Sequence, residues 1–516
     1  MWSRSLSVLL LLVAVPACPG GNGSIGEACD GHGDCNSTLQ CIEGTCISKC
    51  QRAPECGDGY QCDVDGFCHV ASGQAGDKCA SEVECAPGLS CQIDGFGTDN
   101  DDFLLASCTA QNSSRPAGSA CDVDSECRNG TCALGRCVDL CTDTRDCGSG
   151  TACMKIPRVE ADGSLFQGCL PPRGAVVWNI PVTGPTSETV LIPIPDAARS
   201  ATIVFQVDDL AQRVGARSVV APSGPVIYTK PCEPGISPSC DTQVATDQYY
   251  AQPVRHLPEY GQSVLQLPSS SAVPLESGAY RVAVSSFRAN GAAGSAIPRV
   301  TAVVKMDAAV FLDLHFHFLN LDDHPCEQAF GGATLDAVAA TSASFFQGEF
   351  LGELRTVFAG GGIAIGTTSF TDVTNHPDLD GLAVEDAGSL LTLGNHSSGI
   401  DVFFVRTLSP VGLQAFGPNP GPAGLAGTRQ SGIVIGVDTL CYRTWTQLAR
   451  LTAHELARYM GLYHNVELEV GQHPTWRDPI VDSDDNPSNL MFFSEIGGIE
   501  LSAGQRDILT RSAVLR

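Results

Sequence analysis

Twenty of the chain's 25 cysteines lie between Cys29 and Cys169, and this crowding constrains the fold more than any other feature of the sequence. Their spacing repeats. Cys29, Cys35, Cys41, Cys46, Cys50, Cys56, Cys62 and Cys68 are echoed by Cys121, Cys127, Cys132, Cys137, Cys141, Cys147, Cys153 and Cys169, with a shorter set, Cys79, Cys85, Cys91 and Cys108, between them. Gly26-Glu27-Ala28-Cys29, Gly76-Asp77-Lys78-Cys79 and Gly118-Ser119-Ala120-Cys121 open their units alike, each with a second Cys six residues later. Segments this short cannot bury enough apolar surface to stay folded unaided, so the spacing predicts tandem modules stapled by disulfides in an oxidising compartment. Zinc is the competing use of cysteine, but these spacings lack paired Cys-x-x-Cys clusters. Eight cysteines in one module leave the connectivity open.

The N-terminus agrees with an oxidising destination. Arg4, the apolar run from Leu6 to Val15 and Val15-Pro16-Ala17-Cys18 stand in signal-peptide order. The run is about half the roughly 20 residues a membrane-spanning helix needs. The segment resembles a bacterial lipoprotein signal, over residues 1–18, which implies that Cys18 becomes lipidated and that a lipid anchor at the outer membrane or cell surface is the only membrane contact; ordinary signal cleavage nearby, giving a secreted chain with Cys18 as a spare thiol, is the alternative. Setting Cys18 aside leaves an even number of cysteines, all able to pair. The formal charge of −27 repels phosphate backbones, and no basic, aromatic-interleaved stripe offsets it, which excludes nucleic acid as a partner.

The composition shifts at Leu170-Pro171-Pro172, which closes a disulfide-rich array over 19–170. From 171 to 305 short apolar runs such as Thr202-Ile203-Val204-Phe205-Gln206-Val207 and Tyr280-Arg281-Val282-Ala283-Val284 alternate with Pro, Gly and Ser, predicting an all-β sandwich. Cys232 and Cys240 are expected to close a local loop. Residues 306–516 read as α/β. Strands are expected at Val310–Phe318, Ile363–Ile365, Ile400–Val405 and Ser431–Val437, with helices over Leu335–Phe358 and Thr444–Tyr459. Cys326 and Cys441 are the only cysteines of this block and are expected to pair.

The segment that carries chemistry is His454-Glu455-Leu456-Ala457-Arg458-Tyr459-Met460-Gly461-Leu462-Tyr463-His464. In an H-E-x-x-H helix, residues four apart share a face, so two imidazoles meet one zinc while the Glu reaches its water. In the longer H-E-x-x-H-x-x-G-x-x-H form, Gly turns the chain so that a third His arrives. His454, Glu455, Gly461 and His464 stand at those offsets, but position 458 is Arg.

This segment resembles the active-site helix of the metzincin metallopeptidases, and Asn489-Leu490-Met491-Phe492 resembles their Met-turn. The stretches Val402–Val405, Gly427–Val434, Asp478–Asp482 and Leu501–Gln505 are similar to those of bacterial secreted or lipoprotein metzincin-like proteins. The resemblance implies a multidomain chain ending in an α/β metzincin-like metallopeptidase domain, with His454 and His464 as zinc ligands and Met491 beneath the site. It implies that Glu455 takes the proton of a zinc-bound water. It also implies that the strand around Gly432–Gly436 is the edge to which an extended substrate pairs.

Arg458 breaks the pattern, because a guanidinium stays protonated and has no lone pair for a metal. Glu455 is free to pair with it across one turn. The expectation is therefore a pseudopeptidase that binds zinc weakly or not at all and takes an extracellular protein or peptide. A working zinc endopeptidase with an altered ligand set, using Glu467, His473 or a nearby Asp, is the alternative, and purely structural or adhesive modules are a third. His315 and His317 alternate on a strand, a pattern that also suits a second metal pair, and are expected to be exposed strand-face residues. Asp99–Asp102 and Asp482–Asp485 fit no EF-hand loop and are expected to be solvated. The Asn-x-Ser/Thr sites, including Asn36 and Asn395, carry no weight with a bacterial signal.

Overall fold

The structure is a computed structural model that describes residues 28–30, 34–35, 39–42, 45–48, 60–62, 68–71, 73–96, 104–113, 115–142, 146–148, 151–157, 165–170, 175–236, 238–319, 321, 326–330, 334–374, 376–394, 396, 398–467, 476–493 and 498–516. The signal segment with Cys18, and likewise Asn36, Asp99–Asp102, Asn395 and His473, lie outside the described residues. The chain is multidomain and mostly β, with few helices.

The N-terminal array is a series of antiparallel hairpins. They are β1 (Gln40–Ile42) with β2 (Thr45–Ile47), β3 (Tyr60–Cys62) with β4 (Cys68–Val70), β5 (Leu89–Phe96) with β6 (Leu104–Ala110), β7 (Cys132–Ala133) with β8 (Arg136–Cys137), and β9 (Ala152–Pro157) with β10 (Leu165–Leu170). Each sets two cysteines directly opposite one another, at Cys41 and Cys46, Cys62 and Cys68, Cys91 and Cys108, Cys132 and Cys137, and Cys153 and Cys169. In four of these hairpins both members of the pair then bond back to the segment before the hairpin. The bonds are Cys29–Cys41 with Cys35–Cys46, Cys79–Cys91 with Cys85–Cys108, Cys121–Cys132 with Cys127–Cys137, and Cys141–Cys153 with Cys147–Cys169. The repeat is thus a four-cysteine unit in which the first cysteine meets the third and the second meets the fourth. The eight cysteines from Cys121 to Cys169 resolve into two such units, because one hairpin presents only two cysteines to a strapping segment. Such a disulfide density belongs to an extracellular or exported chain.

Residues 175–305 form two facing sheets. One has the order β11 (Ala175–Ile180), β19 (Arg299–Lys305), β13 (Ser200–Gln206), β17 (Gln262–Leu267). The other has the order β12 (Thr186–Ile194), β18 (Gly278–Phe287), β14 (Arg213–Val220), β15 (Val226–Thr229), with β16 (Glu259–Tyr260) also on β14. Strict alternation along β11 sends Val176, Trp178 and Ile180 inward, where they join Ile203, Phe205 and Leu265 of their own sheet and Ile192, Tyr280 and Val282 of the other. The region is not wholly β. Helix α1 (Thr242–Tyr250) interrupts it, capped by Asp241, whose side chain accepts from the Val244 N–H. Cys232 and Cys240 bond just before this helix.

The C-terminal unit is built on a sheet of order β21 (Ala364–Val373), β20 (Phe311–Leu319), β23 (Ile400–Val405), β26 (Ile433–Gly436), β25 (Ala415–Phe416), parallel except for β25. A smaller parallel pair, β22 (Gly381–Ala383) and β24 (Thr407–Ser409), lies beside it, with α4 (Ala387–Leu391) following β22. Leu314, Phe316 and Phe318 of β20 face the main core with Val402, Phe404, Ile433 and Ile435. Two features differ from the sequence expectation. The stretch Leu335–Phe358 is not one helix: α2 (Ala337–Ser342) stops at Ala343, whose backbone is extended, and a π-helical turn over Phe345–Phe350 leads into α3 (Leu351–Gly360). Phe346 and Phe350 on this turn are buried against Phe404 and Trp445. And Gly432–Gly436 is interior, flanked by β23 and β25, so the free edge is the two-residue strand β25.

Candidate functional site

Helix α5 (Trp445–Tyr459) starts with a capping box in which the Thr444 hydroxyl accepts from the Gln447 N–H at 3.2 Å and the Gln447 carbonyl accepts from the Thr444 N–H at 3.0 Å. Its apolar face packs on the sheet through Leu448, Leu451, Leu456 and Ala457. Burial of that face carries His454 and Glu455 inside, each 2% exposed. Gly461 ends the helix at φ +105°, and a Cβ there would stand 2.4 Å from the Gln266 amide of β17. Gln266 uses that proximity to donate to the Met460 carbonyl at 3.1 Å, so the sandwich buttresses the turn.

The turn returns His464 to the helix. The Nε2 atoms of His454 and His464 are 3.3 Å apart. His454 Nδ1 is 2.8 Å from the Leu490 carbonyl, and His464 Nδ1 is 3.4 Å from a Glu467 carboxylate oxygen. Both rings therefore have an acceptor at Nδ1 and turn Nε2 toward each other. Burial, reinforced by His464 and the Arg458 charge, pulls His454 down to about 3 and keeps it neutral. Beneath it Met491 is wholly buried, its N–H donating to Asn489 Oδ1 at 2.8 Å, while Asn489 and Gln505 pair through their amides at 2.9 Å.

Arg458 Nη1 lies 3.3 Å from both Glu455 carboxylate oxygens. A carboxylate this deep needs a partner, and the guanidinium three residues on supplies it. A tetrahedral zinc ion at 2.0–2.1 Å from each Nε2 would separate them by about 3.4 Å, close to what is observed. A catalytic zinc takes three protein ligands, though, and the third direction ends in a cation. Glu467, offered as a substitute ligand, is spent on His464 Nδ1. The residues present do not fit a catalytic zinc.

Arg458, His464 and Glu467 open onto a cavity of about 780 Å³. Its opposite wall comes from the sandwich, through Tyr249, Tyr250, Arg255, Glu259 and Gln262, and its rim includes Phe416 and Gly417 beside the β25 edge. The Tyr463 hydroxyl donates to the Arg255 carbonyl at 3.1 Å, and Arg255 Nη2 donates to the Arg477 carbonyl at 2.7 Å. The sequence did not disclose this wall, since nothing in a strand-and-turn pattern says which end of a sandwich meets a helix 200 residues later; the capping Asp241 ahead of Tyr249-Tyr250 was the one available signal.

Asp478 is buried, with Oδ1 accepting from the Ile480 N–H at 3.1 Å and from the Ser483 hydroxyl, while Oδ2 has no hydrogen-bond partner among the described residues. Burial is the main cause that raises its carboxyl to about 7. A carboxyl raised above its unfolded value stabilises fully below about 4 and loses that contribution as pH rises through about 7. Asp478 is therefore expected to lower the thermal midpoint as pH rises from about 4 to about 7, and Asp478→Asn to flatten that part of the slope relative to the native protein; an identical pH dependence in the two proteins would contradict it. Nearby, Asp482 is not merely solvated: it accepts from Ser502 Oγ at 2.9 Å and Gly504 N–H at 3.0 Å, anchoring the start of α6 (Ala503–Thr510).

His315 and His317 are buried, at 7% and 5% exposure, rather than exposed. Their strand lies second in the sheet, and the face they point to is covered by the segment around His396. No family model matches the chain, and no curated protein is significantly similar to it. Among the described residues no helix is long and apolar enough to cross a membrane.

Proposed function

We propose that this is an exported, lipid-anchored metzincin-like protein whose peptidase site has decayed, and that its interdomain cleft binds an extracellular protein or peptide without cleaving it. The observation that carries this is the Arg458–Glu455 pair set inside an otherwise complete frame of His454, the Gly461 turn, His464 and Met491. The pair occupies the would-be general base and replaces one imidazole with a cation. The parallel sheet with one antiparallel edge strand along the cleft supports the metzincin reading, and β25 is the edge an extended peptide would join. The lipid anchor rests on Cys18 and its resemblance to a lipoprotein signal.

One observation favours the second reading, an active zinc endopeptidase. The two Nε2 atoms remain at a spacing a zinc ion could bridge. Elemental mass spectrometry on the natively purified protein, with hydrolysis of a denatured protein and binding to an extended-peptide array measured beside it, separates these readings. Near-zero zinc, no hydrolysis and peptide binding support the pseudopeptidase. About one zinc per chain with hydrolysis overturns it for the endopeptidase. Neither zinc nor peptide binding leaves the structural or adhesive role.

A further inference from the structure

We propose that His317, His396 and Asp401 form a divalent transition-metal site of their own, on the face of the sheet opposite α5. Alternation along β20 sends Leu314, Phe316 and Phe318 to the helix-covered core and turns His315 and His317 to the other face, where Phe403 of β23 stacks on His317 at 4.5 Å. Asp401, also on β23, points the same way. His317 Nε2 and His396 Nδ1 each lie 2.7 Å from the same oxygen, Asp401 Oδ1. All three ligand atoms fall within 4.8 Å of one another.

Two imidazole nitrogens and one carboxylate oxygen are a donor set for zinc or another first-row divalent ion, and a poor one for calcium, which takes six to eight oxygens. A single cation would satisfy at once the two nitrogens that now converge on one oxygen. Ligand atoms around zinc stand about 3.3 Å apart, so binding requires an expansion of about half an ångström. His396 can supply it, its side chain being 30% exposed while those of His317 and Asp401 are 7% and 5% exposed.

The surroundings hold these ligands as a metal site requires. His315 lies flat on His396, with centroids 3.6 Å apart and planes 1° from parallel, and is fixed by Ser369 Oγ at 2.7 Å and the Ser398 carbonyl at 2.8 Å. Glycine at 394 leaves space for the carboxylate, since a Cβ there would come within 2.6 Å of Asp401 Oδ2. A cavity of about 260 Å³ lined by His396, Ser398 and Gly399 brings solvent up to the His396 side of the cluster.

The test is a cobalt(II) titration of the full chain carrying His454→Ala and His464→Ala, followed by visible absorption and by metal content after dialysis. Expected are about one cobalt per chain with ligand-field bands of a four- or five-coordinate N/O site, displaced by zinc. His396→Ala, at the most exposed of the three positions and with folding checked by circular dichroism, abolishes the bands, as does Asp401→Asn. No uptake by the double variant, or uptake that His396→Ala leaves unchanged, overturns the proposal. Should the double variant not fold, the same titration with His396→Ala in the otherwise native chain decides, the expected result being loss of one equivalent. A native cleft that retains zinc would appear separately, as a second equivalent insensitive to His396→Ala.

Discussion

Arg458→His is expected to raise zinc content from near zero to about one per chain, the largest single change the proposed function allows. The geometry is already in place, because residues 454 and 458 share a helical face and the helix is fixed by its capping box, its packed face and the Gly461 turn. The substitution supplies the missing lone pair and removes the opposing cation in one step. It also strips Glu455 of its partner, and a buried carboxylate left unpaired costs about 3 to 5 kcal/mol. The variant without metal should therefore melt below the native protein. Zinc should restore stability by roughly 2.7 kcal/mol at a hundredfold excess over Kd, whereas the native protein should not respond. Calorimetry with and without zinc measures both effects. If zinc fails to raise the variant's melting temperature, the frame around position 458 is not a decayed metal site.

How much of this was legible in the sequence depended on how local the cause was. Helix α5 was visible, because Thr444, Gln447 and the apolar period are all read within one segment. The consequence of Arg458 followed from its identity alone, since no environment gives a guanidinium a lone pair for zinc. What escaped depends on contacts distant in sequence. The resemblance places the edge at Gly432–Gly436, in what is the interior strand β26, and the true edge β25, two residues long, carries no periodicity that would reveal it. His315 and His317 looked exposed because the chain that covers them, at His396 and Asp401, arrives about 80 residues later. The helix break at Ala343, ahead of the π-helical turn at Phe345–Phe350, is marked by no Gly or Pro in the sequence. The four-cysteine connectivity needed the hairpin registers, which place Cys91 opposite Cys108 although 16 residues intervene.

Breaking the Cys326–Cys441 bond is expected to destabilise the C-terminal unit more than breaking any other single disulfide described. The two cysteines are 115 residues apart, and closing a loop of that length removes about 4 to 5 kcal/mol of chain entropy from the unfolded state, against about 2 to 3 kcal/mol for Cys232–Cys240, with a separation of 8. The long loop contains β21, β23 and β26, and the bond joins the turn after β20 to the residues leading into α5. Part of that junction survives without the bond, because Trp445 Nε1 donates to the Ala329 carbonyl at 2.8 Å and Phe345 stacks on Trp445 at 4.9 Å. Cys326→Ser/Cys441→Ser should thus fold, but with a denaturation midpoint well below that of Cys232→Ser/Cys240→Ser, followed by tryptophan fluorescence and near-ultraviolet dichroism. Equal midpoints would mean that the sheet already restrains the unfolded chain and the bond adds little. The entry to α5 is also what orients His454, so in the Arg458→His background the loss of this disulfide should weaken zinc binding, while loss of Cys232–Cys240, which closes a loop of the sandwich, should leave it unchanged.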